Sequence, residues 1–103
     1  MSHSFYNSLL SMPSIDQGLN FIFKHFNDEA NKGNFADLDE ILKLANPEEL
    51  SLDLSVGFLT ATYPMRNHLK ERDAYMHRCW PAFIKKAGPE RTKRLLRGLE
   101  NTE

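Results

Sequence analysis

A lone cysteine, Cys79, stands in a chain of 103 residues, so no intramolecular disulfide can form and a small disulfide-stapled secreted scaffold is excluded. Cysteine usage of this kind fits a reducing compartment, and the cytoplasm is the expected setting. Long apolar runs are missing too. The apolar stretch Leu54 to Met65 is broken by Ser, Thr and Pro, and falls well short of the roughly 20 apolar residues that span a bilayer, so no membrane association is expected. Met1 to Phe5 has neither the basic nor the apolar region of a secretory signal and is expected to stay in the mature protein. No segment alternates in the Val, Ile and Thr-rich manner of a strand, and Asn-Gly and Asp-Gly hairpin turns are absent. Signatures of chemistry are equally scarce. There is no nucleophile elbow, glycine-rich phosphate loop, His-Glu-x-x-His helix or Ser-His-Asp spacing, so enzymatic activity and a bound cofactor are not expected.

What is present is helical periodicity, and the expected fold class is all-α. Residues 1 to 103 read as one domain, a compact bundle of four to five short helices with a radius of gyration of about 13 Å. Phe5, Tyr6, Leu9, Leu10 and Met12 make residues 1–13 an apolar segment that should pack on the bundle. Ser14 and Gln17 form a capping box that opens a helix on which Ile15, Leu19, Ile22, Phe23, Phe26 and Ala30 share a face. Gly33 ends it. Phe35, Leu38, Ile41, Leu42 and Ala45 repeat the pattern immediately afterwards, which makes an antiparallel helical hairpin with the preceding helix. Asn46-Pro47-Glu48-Glu49 is a stop and restart, with Leu50 closing the turn into the core.

The segment Leu52 to Thr62 is apolar on almost every side and should be the central helix. Pro64 ends it. After a loop from Tyr63 to His68, Leu69, Met76, Cys79, Trp80, Phe83 and Ala87 mark a fourth helix, which Pro81 should kink or break because it cannot donate to the His77 carbonyl. Pro89 then opens a last short helix with Leu95, Leu96 and Leu99 inward and Lys93, Arg94 and Arg97 outward, and residues 100–103 should fray.

Charge is sorted along this chain. Residues 1–53 hold nine Asp/Glu against three Lys/Arg, and residues 54–97 hold ten Lys/Arg against three Asp/Glu, so a net charge of −1 conceals two opposed halves. Internal complementarity between the hairpin and the C-terminal helices accounts for the split without a partner. The alternative is an anion or nucleic-acid patch built from Arg66, Arg72, Lys93, Arg94 and Arg97, whose binding would fall steeply with salt.

Two further places carry candidate sites. Phe21 lies opposite the core stripe of its helix, in line with His25 and Asp28, so either the N-terminal segment covers it or a partner does. The loop with Tyr63, Arg66 and His68, followed by Arg72 and Asp73, gathers the densest mix of hydroxyl, imidazole and guanidinium groups, and is where a ligand site would lie. Arg72 falls near an apolar stripe and there would need a carboxylate partner. His68, His77 and Cys79 match no zinc spacing, and His77 and Cys79 diverge by about 160° on one helix, so no metal is expected. The expected role is a non-catalytic protein-interaction module, acting on a partner or on a second copy through charge-complementary and apolar helix faces. A nucleic-acid-associated protein and a small enzyme or ligand binder are the alternatives.

Overall fold

Local chemistry sets the helix boundaries. The Ser14 hydroxyl accepts from the Gln17 amide at 3.2 Å, and Ser51 does the same for Leu54 at 3.2 Å, so each opens a helix by satisfying an orphan N–H group. Gly33, at φ 78°, closes the first of these helices in a Schellman arrangement: its N–H reaches the Ala30 carbonyl at 3.0 Å and that of Asn34 reaches Glu29 at 2.9 Å. Gly88, at φ 86°, separates the last two helices, and Pro89 follows it as first helical residue.

The computed structural model describes residues 2–100, except for the side chains of residues 2, 3, 96 and 98–100. It contains α1 (Ser2–Leu10), α2 (Ile15–Asn31), α3 (Phe35–Leu44), α4 (Leu52–Thr62), a 3-10 segment (Tyr63–His68), α5 (Arg72–Ala87) and α6 (Pro89–Glu100), with no strand among the described residues. The fold is all-α. The helix count exceeds four to five because the apolar N-terminal segment is itself helical. Of the tail expected to fray, Glu100 ends α6 and residues 101–103 lie outside the described part. Leu95 is half-buried, and the expected inward placement of Leu96 and Leu99 concerns side chains outside it.

Helices two apart in the chain make the main contacts of the bundle. α1 lies on α2 and α3, α2 packs on α4, α3 packs on α5, and α6 packs against α5 and α4. The radius of gyration is 12.8 Å. Ile22, Phe26, Leu38, Ile41, Phe58, Leu59, Tyr75 and Phe83 are fully buried in a core shared by α2 to α5, to which α1 adds Phe5, Tyr6 and Leu9. The α2–α4 contact is the tightest. A Cβ on Gly18 would lie 2.8 Å from Leu54, and one on Gly57 would lie 2.5 Å from Leu19, so each helix seats a leucine of the other over a glycine.

Two expectations are corrected by the packing. Of the two outcomes expected at Pro81, a kink or a break, the break does not occur: α5 runs as one helix from Arg72 to Ala87. Both Pro81 and His77 are exposed, so water is available to the His77 carbonyl that loses its partner. Ile15 and Phe23, expected on the buried stripe of α2, are 42% and 40% exposed. At 100° per residue Phe23 sits about 100° from Ile22, at the edge of the stripe, while Ile15 is in the first turn, beyond the reach of the core.

Candidate functional site

Phe23 is an exposed aromatic residue, 40% open to solvent. It lies in a shallow groove of about 470 Å³ between α2 and the corner where α4 passes into the 3-10 segment. Ala61, Pro64 and Met65 supply the other apolar walls, and Lys24, Asn27, Asp28 and Thr60 form a polar rim. The corner exists because Pro64 cannot extend α4 and Met65 leaves helical geometry, at φ −110° and ψ 19°. Lys24 and Asp28 pair across one helical turn at 3.3 Å, so the rim carries no net charge from this pair.

Phe21, His25 and Asp28, the face singled out in the sequence, come together with Lys24 around a smaller depression of about 170 Å³ beside the groove. The cover on Phe21 is intramolecular. Phe5 of α1 stacks on Phe21 with ring centroids 4.6 Å apart and planes at 8°, and on His25 at 4.5 Å. The imidazole Nε2 of His25 lies 3.6 Å from Asp37 Oδ2 of α3. α1 is held in place by Tyr6, whose hydroxyl donates to Glu49 at 2.9 Å and accepts from the Asn46 amide at 2.9 Å. Burial, above all, pushes the Tyr6 hydroxyl up to about 12.

The Tyr63–Asp73 segment divides between two environments. The Arg66 guanidinium lies 4.0 Å over the Tyr63 ring and donates to the Tyr63 carbonyl at 2.8 Å, so these two residues stay together. His68 turns elsewhere and stacks on Phe35 of α3 at 4.6 Å. Tyr63, Arg66, His68 and Arg72 line none of the concavities described here.

Arg72 corrects the anion-patch expectation, because it is only 4% exposed. It shares the inner face of α5 with Tyr75, Met76, Cys79 and Phe83, which places it against the end of α4. There its Nε donates to the Thr62 hydroxyl at 2.8 Å and its Nη2 to the Leu59 carbonyl at 2.8 Å. Thr62 in turn donates to the Phe58 carbonyl at 2.7 Å. The C-terminal carbonyls of a helix carry partial negative charge, so a helix end satisfies much of the need for an anionic partner.

The same device recurs along α5. Arg78 donates to the Leu42 carbonyl at the end of α3 at 2.7 Å, and Lys86 donates to the Pro47 carbonyl at 2.8 Å and to that of Leu50. Lys85 pairs with Glu48 at 3.6 Å. In the other direction, the Asp39 carboxylate of α3 accepts from the Glu71 amide at 3.0 Å, just ahead of α5. Sequence reasoning placed the opposed charges in two halves but missed these pairings, since most of the partners are backbone groups that carry no sequence signal.

Cys79 is fully buried and its thiol is pushed up to about 12, chiefly by burial, so it is neither a ready nucleophile nor a ready ligand. Tyr75 is buried beside it and held well above its ordinary value for the same reason. No group of three or more His, Cys, Asp or Glu able to hold a metal occurs among the described residues. No helix there is long and apolar enough to cross a membrane. Comparison with protein-family models, curated proteins and solved structures finds no match.

Proposed function

We propose that this protein is a non-catalytic interaction module that receives an apolar side chain of a protein partner in the groove between α2 and the α4 corner. The observation that carries this reading is Phe23, 40% exposed beside the fully buried Ile22 and facing Ala61, Pro64 and Met65 across an open concavity. An apolar floor with a polar rim is the anatomy of a small docking patch, and an aromatic at its centre is the residue type that most often anchors one. The groove draws its walls from α2, the end of α4 and the 3-10 segment, and it is already open in the absence of a partner, so less ordering entropy opposes binding. Arg66 and Arg72 both lie over the Tyr63 ring, at 4.0 and 5.5 Å, but Arg72 is buried and bound to the end of α4, and His68 turns away to Phe35. None of the four lines the groove, which favours a binding role over an enzymatic one because reacting groups need a shared cavity.

A photo-crosslinking residue at position 23 tests this in the native cell. The expected outcome is one discrete protein adduct that disappears when Met65→Asp is added and is absent with the crosslinker at Asn7. Diffuse labelling, or an adduct indifferent to Met65→Asp, would sink the reading.

A further inference from the structure

Ten basic residues fall between positions 54 and 97, and the fold does not use them alike. Arg72, Arg78 and Lys86 hold backbone carbonyls, Lys85 holds Glu48, and Arg66 lies on Tyr63. Four of the others, Arg91, Lys93, Arg94 and Arg97, sit on α6, are all exposed, and among the described residues make no hydrogen bond or ion pair. Over residues 91–97 they occupy about 9 Å of helix axis, with Arg94 and Arg97 one turn apart on the outward side. We infer that the outer face of α6 is a sequence-independent binding surface for the phosphate backbone of double-stranded nucleic acid.

The chemistry of the face selects this partner among polyanions. Lys93, Arg94 and Arg97 offer no apolar anchor of the kind a protein interface needs at its centre, so an acidic peptide would gain only screened rim contacts. Among the described side chains of α6, Thr92 is fully buried and Leu95 half-buried, so neither offers an apolar surface to an anionic lipid. No aromatic residue lies in Pro89–Glu100 on which an unpaired base could stack, which favours a duplex over a single strand. What remains is a row of point charges, three of them guanidinium groups suited to phosphate oxygens. α6 also packs on α5 and α4, and makes no comparable contact with the hairpin of residues 15–45, which holds six acidic against three basic residues. The basic residues of α6 are thus set apart from the acidic hairpin, so a polyanion can meet local positive charge although the net charge is −1. This surface is independent of the Phe23 groove.

The test is fluorescence anisotropy with a labelled mixed-sequence duplex of about 20 base pairs at about 20 mM salt, followed through a salt titration. Weak binding is expected, tightening as salt falls, with a log–log slope of about −3.6 for four neutralised phosphates and a loss of about a hundredfold between 50 and 200 mM. Arg94→Glu/Arg97→Glu should weaken it more than about tenfold, whereas Lys32→Glu/Lys43→Glu, an equal change of charge on the hairpin, should change it less than about twofold. Circular dichroism confirms that each variant is folded. Absence of binding at the lowest salt, equal effects of the two double variants, or preferential binding to polyglutamate or to phosphatidylserine vesicles would each overturn the proposal.

Discussion

α5 and α6 carry the same kind of charge to different ends. On α5, Arg72, Arg78 and Lys86 reach across helix boundaries and bind the carbonyls of Leu59, Leu42 and Pro47, so their charge is spent inside the molecule on the negative ends of other helices and the turn that follows α3. On α6, Arg91, Lys93, Arg94 and Arg97 are exposed and, among the described residues, bind no helix end. A count of basic residues along a chain is therefore a poor guide to a patch. What decides is whether a helix terminus lies within reach of the side chain.

The largest test of that contrast is Arg72→Ala, which should destabilise the fold by about 3 kcal/mol because it removes a buried side chain and two charge-assisted hydrogen bonds, to the Leu59 carbonyl and the Thr62 hydroxyl, against less than about 0.5 kcal/mol for Arg94→Ala. Urea unfolding measures both, and equal losses would break the comparison. Arg72→Lys should recover only part, since an ammonium group does not reproduce the fork that reaches Thr62 and Leu59 together.

The inner face of α5 also makes stability depend on alkaline pH in a way α6 does not. The Cys79 thiol, held at about 12 against 9.0 in the unfolded chain, keeps its proton after the unfolded chain has lost it. Tyr6 behaves likewise, at about 12 against 10.0. Both groups have raised folded values, so their contribution is complete below about pH 9 and is lost as pH rises from there to about 12. Thermal unfolding should show a falling midpoint across that window, and Cys79→Ala should flatten its lower part.

Smaller effects refine the picture. Tyr6→Phe removes both hydrogen bonds that hold α1 and should lower stability by about 1 to 2 kcal/mol in urea unfolding. Arg78→Ala should lower it by about 1 kcal/mol, since the bond to Leu42 is short but the side chain is partly open to water. Raising salt from about 50 to about 500 mM should change unfolding free energy by less than about 1 kcal/mol, because charge bound to helix ends is screened less than charge on an open surface. A large loss would mean that surface ion pairs carry the complementarity.

Much of the helix pattern was legible in the chain. Ser14, Gly33, Asn46-Pro47 and Gly88-Pro89 mark boundaries through capping and turn chemistry that act within a few residues, and Leu52–Thr62 announces its central place by being apolar on almost every side. The groove was legible only in part. Pro64 and Met65 fall in the segment singled out for its polar groups, but Phe23 was assigned to the core because a periodic stripe does not reveal how far its edge extends past the neighbouring helix. Phe21 was recognised as needing a cover, and α1 provides it through Phe5.

The sequence by itself determined the all-α class, most helix boundaries and the opposed charges of the two halves, because caps, helical periodicity and composition are local properties. Only the tertiary structure decided which arginines are anchored and which are free, that Arg72 is interior, and that Phe23 stands open beside Met65. Each of these depends on which helix ends and edges meet across some tens of residues, and a backbone carbonyl at a helix end acts as a partner without leaving a residue type to read.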